Sequence, residues 1–126
     1  HTYHHMRGCQ ETAEYYVADA QHGAEVLKTS LFRPPHGRMR FSQKKALLDK
    51  GYKIYLWDVL THDYNPCYSA EKILTIVKRY TRNGSIIVFH DSLKSKDRML
   101  LALPQVIKWL QSEGYAICPI NCKIVE

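Results

Sequence analysis

Apolar residues recur along the chain at two spacings, one typical of helices and the other of buried strands. Helical periodicity and capping residues predict four helices, over 12–29, 42–50 (Ser42 as N-cap, Gly51 as stop), 69–81 (Ser69 as N-cap, ending at Asn83-Gly84) and 104–113 (Pro104 in the first turn, Gly114 as stop). Short aromatic or β-branched runs predict strands at 31–32, 53–59, 85–89 and 115–120. This alternation is typical of βαβ units, so we expect an α/β fold with a parallel sheet, open or closed into a barrel.

Composition narrows the class of protein. With 126 residues, 45% hydrophobic and 24% charged, the chain is expected to form one globular domain over 1–126 rather than a disordered tail or a coiled coil. No apolar run reaches the length of a membrane span. The net charge of +6 favours an anionic partner, but the basic residues are scattered, which argues against nucleic acid. Of the four cysteines, Cys118 and Cys122 could form a disulfide, or all could be thiols.

One histidine follows a predicted buried strand. His90 comes directly after the strand 85–89, and in parallel α/β folds functional groups gather at the carboxyl ends of strands. Histidine is the usual acid or base near neutral pH, and a neighbouring carboxylate would favour its protonated form. Asp58 lies near the end of the previous predicted strand and Asp63 follows it, so either could be that carboxylate. Both could equally be N-cap or loop residues.

Two further segments contain candidate chemistry. His1 and His5 are four residues apart, so on one helical turn they could share a metal such as Zn, Fe, Ni or Co, whereas His4 would point elsewhere. Both could instead be ordinary surface histidines. Arg33 precedes two prolines that fix the backbone, and its guanidinium could hold a carboxylate in two-point contact. This segment could equally be a surface loop.

Four segments in a fixed order resemble a known family. These segments, HTYHH, FRPPHG, WDVLTHDY and SIIVFHDS, resemble the polysaccharide deacetylases with a NodB-homology domain, carbohydrate esterase family 4, over nearly the whole chain. The resemblance implies the C-terminal part of a distorted (β/α)7 barrel. It also implies metal-dependent hydrolysis of N- or O-acetyl groups from a polysaccharide such as peptidoglycan, a chitin-type oligosaccharide or xylan, outside the cytoplasm or at the cell envelope.

The resemblance also implies roles for individual residues. His1 and His5 would bind one divalent metal, with Zn expected and Co, Ni, Fe or Mn as alternatives. His90 would be the general acid, tuned by Asp63 or, as the alternative, by Asp58, and Arg33 would hold the catalytic base. The backbone N–H of His36 would donate to the oxyanion, while Pro35, Tyr64 and Val88 would line the substrate site.

The sequence departs from the family pattern in three places. The TFDDG motif, which supplies a metal-binding Asp and the base in the family, is absent from these 126 residues. His36 stands where the family usually has Tyr, and Tyr64 stands where many members have Trp. We therefore expect a partial domain that is inactive alone. Three alternatives stay open: an inactive carbohydrate-binding module of the same fold, a copper site at the terminal histidine, and an α/β domain whose histidines are structural. The oligomeric state is not predicted.

Overall fold

The computed structural model describes residues 1–120, with four α-helices and four short strands in that part of the chain. The helices are α1 Ala13–Leu27, α2 Phe41–Asp49, α3 Ala70–Tyr80 and α4 Lys96–Ser112, and the strands are β1 Leu31–Phe32, β2 Lys53–Ile54, β3 Val59–Leu60 and β4 Ile87–Val88. Contacts along the chain divide it into two compact units, His1–Leu56 and Trp57–Glu126. The assignment of 1–126 to one partial domain stays a prediction.

The first unit is a βαβ-type layer of two helices on a two-stranded parallel sheet. β1 pairs with β2 so that Leu31 lies opposite Lys53 and Phe32 opposite Ile54. The buried core of this unit consists of Tyr16, Val17, Ala20, Phe32 and Leu47. Two of these members, Tyr16 and Ala20, are one helical turn apart on α1, as the predicted apolar face requires.

The second unit repeats this layout. β3 pairs in parallel with β4, with Val59 opposite Ile87 and Leu60 opposite Val88. Helices α3 and α4 pack together, and the buried core is formed by Val59, Val77, Val106 and Leu110. Within each unit, the predicted alternation of helix and parallel strand is confirmed.

Local signals placed several helix ends correctly. The side chain of Thr12 accepts a hydrogen bond from the Tyr15 amide at the start of α1, and Ser69 accepts from the Lys72 amide at the start of α3. Gly51 and Gly114 follow α2 and α4 with φ of +84° and +80°, a backbone conformation that glycine adopts without strain. The α3 helix ends earlier than predicted because Thr81 is already extended.

The predicted strand 53–59 is wrong as a single element. Its first part forms β2 and its last residue begins β3, and these two strands pair with different partners. Residues 55–58 between them belong to neither ladder. The predicted strand 85–89 is likewise reduced to Ile87–Val88. Sequence composition indicates extended backbone here, but the partner strands decide how much of it pairs.

Two predicted helix starts are also wrong. α2 begins after Arg40 rather than Ser42, because the Gln43 side chain accepts a hydrogen bond from the Arg40 amide at 2.8 Å. α4 begins at Lys96, so Pro104 lies inside the helix and not in its first turn. An interior proline is unfavourable, but Ala102, Val106 and Leu110 place one buried face along the helix, and this packing outweighs the lost backbone bond.

The chain beyond α4 forms no strand within the described residues. The Tyr115 amide donates to the Leu110 carbonyl at 2.9 Å, which closes the helix, and residues 116–120 are exposed without strand pairing. The predicted strand 115–120 is therefore wrong. Cys122, one partner of the possible disulfide, lies outside the described residues. Among residues 1–120, no helix combines the length and apolar character that crossing a membrane requires.

Candidate functional site

The segment HTYHH brings His1 and His5 together through a turn, not through a helix. Their ring centroids lie 4.9 Å apart in an edge-to-face arrangement. Thr2 is buried and its Oγ1 accepts a hydrogen bond from the Met6 amide at 2.7 Å, which closes the turn. His5 has a φ of +54°, in the left-handed region that a non-glycine residue rarely adopts. The predicted proximity is present, but the predicted helical turn is wrong.

A backbone carbonyl orients the His1 ring. The Nδ1 atom of His1 lies 2.7 Å from the Arg33 carbonyl oxygen. Because a carbonyl oxygen only accepts, Nδ1 carries the proton of this bond and the Nε2 lone pair is left for another partner. A hydrogen bond from one ring nitrogen to a carbonyl is how proteins commonly orient a metal-binding histidine.

The His1 and His5 rings are therefore suited to be two of the ligands of a divalent metal. Imidazole nitrogens suit Zn and the other late transition metals. Among residues 1–120, no cluster of three His, Cys, Asp or Glu side chains is arranged to hold a metal ion. The two histidines alone thus do not complete a tetrahedral set.

The segment after β1 is a rigid turn, as its prolines predicted. Arg33 is half-buried, and Pro34 and Pro35 are buried. A single 3₁₀ turn, Pro35–Gly37, follows, in which His36 has a φ of +57° and the Gly37 amide donates to the Pro34 carbonyl at 3.0 Å.

The His36 ring lies 5.0 Å from the His5 ring, centroid to centroid. Burial lowers the pKa of His36, and electrostatic interaction with its neighbours His5, Arg7 and Arg38 lowers it further. His36 is therefore neutral at pH 7.

In the second unit, Asp63 holds His90 at two points. The carboxylate accepts the His90 amide at 2.8 Å through Oδ2 and contacts the ring Nδ1 at 2.6 Å through Oδ1. Asp63 is completely buried, whereas the His90 side chain is 37% exposed. With the Asp63 oxygen as acceptor, Nδ1 donates to it, and the opposite nitrogen, Nε2, is the atom that can exchange a proton with a substrate.

Two contacts that the sequence did not suggest hold the segment 61–63, which follows β3. Arg98 on α4 donates from Nε to the Asp63 carbonyl at 2.7 Å, and the Thr61 hydroxyl donates to the Val88 carbonyl at 2.7 Å. Their partners are 35 and 27 residues away along the chain, so no local pattern identifies them.

Asp58, the alternative partner of His90, has a different environment. Its carboxylate accepts the Ser85 hydroxyl at 2.8 Å and the Ile86 amide at 2.7 Å, and it lies 3.6 Å from the Arg82 guanidinium. Burial raises the pKa of Asp58, but the two hydrogen bonds and the charge of Arg82 outweigh it, so the pKa lies below its usual value. Asp58 thus anchors the start of β4.

The remaining predicted substrate residues of this unit differ in accessibility. The Tyr64 ring stands perpendicular to the His90 ring with centroids 4.9 Å apart, and 40% of the residue is exposed. Val88 is only 5% exposed within β4. In this unit Tyr64 is therefore the more accessible of the two.

The first unit contains a second Asp–His pair, which the sequence did not indicate. Asp19 on α1 accepts the His4 amide at 2.9 Å and contacts the His4 ring Nδ1 at 2.6 Å. Burial raises the pKa of Asp19, but the hydrogen bonds from His4 outweigh it, so the pKa lies below its usual value and the carboxyl is ionised at neutral pH. His4 and Asp19 are 15 residues apart on a turn and a helix, and only the folded chain shows that they pair.

Two sequence relatives of this chain are both named as deacetylases. No protein-family model matches the sequence. A peptidoglycan-N-acetylglucosamine deacetylase from Bacillus cereus is 26% identical over 96% of this chain. A bifunctional xylanase/xylan deacetylase from Cellvibrio japonicus is 28% identical over 76% of this chain. The chain spans 60% of the length of the first relative and 14% of the second.

Solved structures agree in fold. A peptidoglycan N-acetylglucosamine deacetylase in complex with a small benzamide compound matches 95% of this chain with a TM-score of 0.88 at 24% identity, and the match covers 59% of that protein. A family 4 carbohydrate esterase from Streptomyces lividans, in complex with acetate, matches 96% with a TM-score of 0.82 at 25% identity and 64% coverage. A family 4 pseudoenzyme from Bacillus anthracis also shares the fold, with a TM-score of 0.82 at 22% identity over 96% of this chain and 43% of that protein.

Proposed function

Since this chain is related in sequence and fold to the polysaccharide deacetylases of carbohydrate esterase family 4, which have a NodB-type (β/α)7 barrel, we propose that it takes part in hydrolysing acetyl groups from a polysaccharide. The observation that carries the proposal is the two-point contact between Asp63 and His90, at 2.8 and 2.6 Å. This contact leaves one ring nitrogen able to exchange a proton, as a general acid requires.

The chemistry of deacetylation explains why such a histidine is needed. When an acetamide is hydrolysed, the departing nitrogen must receive a proton as its bond to carbon breaks. His90 would give that proton from Nε2. Buried Asp63 would keep the ring in one orientation and stabilise the imidazolium form before transfer, as a carboxylate does for a catalytic histidine.

We assign three further functions to residues of the first unit: metal binding, orientation of the catalytic base and stabilisation of the oxyanion. His1 and His5 would hold a divalent ion, for which we propose Zn, because two imidazoles with one oriented by a carbonyl suit it. When bound, such an ion polarises the acetyl carbonyl and activates water. Arg33 would hold the catalytic base, and the His36 amide would donate to the developing oxyanion.

We further propose an acetylated cell-envelope or plant-wall polymer as the substrate, met outside the cytoplasm. The relatives are described as acting on peptidoglycan and on xylan. The net charge of +6 favours an anionic polymer such as peptidoglycan over neutral xylan or a chitin-type oligosaccharide. Rates of acetate release from the three classes of substrate, at two salt concentrations, would rank them, because attraction to an anionic polymer weakens with salt.

The test uses the product of the whole reading frame that contains this chain. Acetate release is measured with Zn²⁺ and after chelation, for the unmodified protein and for two matched substitutions, Asp63→Asn and Asp58→Asn. We expect Asp63→Asn to lower kcat by about 100-fold or more, as loss of general acid catalysis does. Asp58→Asn should stay within about threefold, because Asp58 contacts the start of β4 and not His90.

Three results would contradict parts of the proposal. Equal loss in the two variants would show that the Asp63–His90 contact is only structural. Loss in Asp58→Asn alone would assign the acid-tuning role to Asp58. If the unmodified protein binds acetylated glycan but releases no acetate with any metal, hydrolysis is wrong and the inactive binding module is the better description.

A further inference from the structure

The HTYHH turn lies on one face of α1. The Tyr3 amide donates to the Asp19 carbonyl at 3.1 Å, and the Tyr3 ring stacks on His22 with centroids 4.0 Å apart. Gly23 lies against the turn so closely that a Cβ there would be 3.3 Å from the Tyr3 nitrogen. Residues 19, 22 and 23 are on one side of a helix, so α1 presents a continuous surface to the turn.

The side chain of Asp19 also contacts the turn, through two hydrogen bonds to one residue. It is only 7% exposed, and its two oxygens bind the amide and the ring of the same residue, His4, at 2.9 and 2.6 Å. Asp63 binds His90 with nearly the same distances, 2.8 and 2.6 Å. In that pair the histidine follows a strand and has the proposed role of general acid. His4, by contrast, lies between the two candidate metal ligands.

Because His4 precedes His5, the contact between Asp19 and His4 affects the orientation of His5. His5 follows it directly and has a φ of +54°, a conformation that persists in a non-glycine residue only when its surroundings hold it. The His4 amide belongs to the Tyr3–His4 peptide group, which is next to the His4–His5 peptide group in the chain. Fixing it to a buried carboxylate fixes the direction in which the His5 ring leaves the turn.

We propose that Asp19 is a positioning residue for the His1–His5 pair, acting through His4. The inference rests on the proposed function for the use of that pair, namely binding a divalent cation with affinity for imidazole. The side-chain hydrogen bonds of Asp19 go to His4 and not to either candidate ligand. It holds the turn in which the two rings stay 4.9 Å apart, ready to share one ion. Residues that orient metal ligands from outside typically change metal affinity by 10–100-fold when replaced.

The test has one readout that needs no metal. In the metal-free chain, an NOE between the ring protons of His1 and His5 reports their proximity. We expect this NOE to be lost in Asp19→Ala, while the methyl signals of Val17 and Ala20 in the same unit keep their dispersion. Asp19→Asn retains an oxygen for the His4 amide, so the NOE should be weakened but present. Asp63→Asn, which alters the equivalent contact in the other unit, is the matched control and should leave the NOE unchanged.

The second readout is Zn²⁺ affinity by titration. We expect affinity to fall by about 10–100-fold in Asp19→Ala, by less in Asp19→Asn, and not in Asp63→Asn. A wild-type NOE in Asp19→Ala, or a Zn²⁺ affinity within twofold of the unmodified chain, would overturn the inference. If Asp19→Ala does not fold, an unchanged NOE and affinity in Asp19→Asn would overturn it equally. If the unmodified chain binds no Zn²⁺ but the NOE still depends on Asp19, the positioning role stands and the proposed metal function fails.

Discussion

Gln43 provides a direct test of how the first unit holds its loops. This side chain on α2 is completely buried and makes three hydrogen bonds. Its Nε2 donates to the Gly8 carbonyl at 2.7 Å and to the Glu11 carbonyl at 3.1 Å, and its Oε1 accepts the Arg40 amide at 2.8 Å. It therefore ties the segment that follows HTYHH to the start of α2. We expect Gln43→Met, which keeps the side-chain volume but loses all three bonds, to be strongly destabilising.

The magnitude follows from these contacts. Each hydrogen bond contributes about 1 kcal/mol net, so three contribute about 3 kcal/mol. Methionine fills the space but makes none of these bonds. The Gly8 carbonyl keeps the Glu11 amide at 3.3 Å, and Glu11 and Arg40 are not fully buried, so about 3 kcal/mol is the upper end of the expected loss. Against a typical stability of about 5–15 kcal/mol, this is a large fraction of the free energy of unfolding.

Urea unfolding, followed by circular dichroism, measures the effect as a shift of the midpoint at constant slope. Gln111→Met is the matched control, because Gln111 is exposed on α4 and the change should stay within about 0.5 kcal/mol. A loss below about 1 kcal/mol in Gln43→Met would refute the reasoning. Gly8→Ala offers a cross-check. Its Cβ would lie 2.6 Å from Gln43 Oε1, so Gly8→Ala should cost less in a Gln43→Ala background than in the unmodified chain.

Three further predictions concern the stability of the same chain, each read from urea unfolding. Ile73→Ala, at a completely buried position on α3, should cost about 2–5 kcal/mol, and a loss under 1 kcal/mol would mean that the site collapses around the cavity. Lys28→Gly should be stabilising by about 0.5–1 kcal/mol, because Lys28 ends α1 in the left-handed conformation, and a destabilised variant would contradict this. The pKa of Asp58 is lowered in the folded chain, so as pH falls this carboxyl takes up its proton in the unfolded chain first. The ionised carboxylate of Asp58 therefore adds to the free energy of unfolding above the usual Asp pKa of about 4, and this stabilisation is lost as pH falls below that value. Asp58→Asn should therefore unfold with a weaker dependence on pH between 5 and 3, and an unchanged dependence would show that Asp58 does not contribute.

Features encoded within a few residues were determined by the sequence itself. The hydroxyls of Thr12 and Ser69 cap their helices, and Gly51 and Gly114 end theirs, because each acts on backbone groups in its own turn. The position of His90 after a strand follows from the apolar run before it. The four segments that resemble the deacetylases needed no structure to be read, since they are patterns of residue type and order.

Features that depend on distant partners were decided only by the tertiary structure. Whether Asp58 or Asp63 contacts His90 depends on β3 and β4 lying side by side, across 27 residues of chain. The His1–His5 pair forms in a turn held by Asp19 and not in the helix that its spacing suggested. Pro104 lies inside α4 because the buried face of that helix continues through it. In each case the free energy comes from burial and from hydrogen bonds between segments far apart in sequence, and such contacts exist only after the chain has packed.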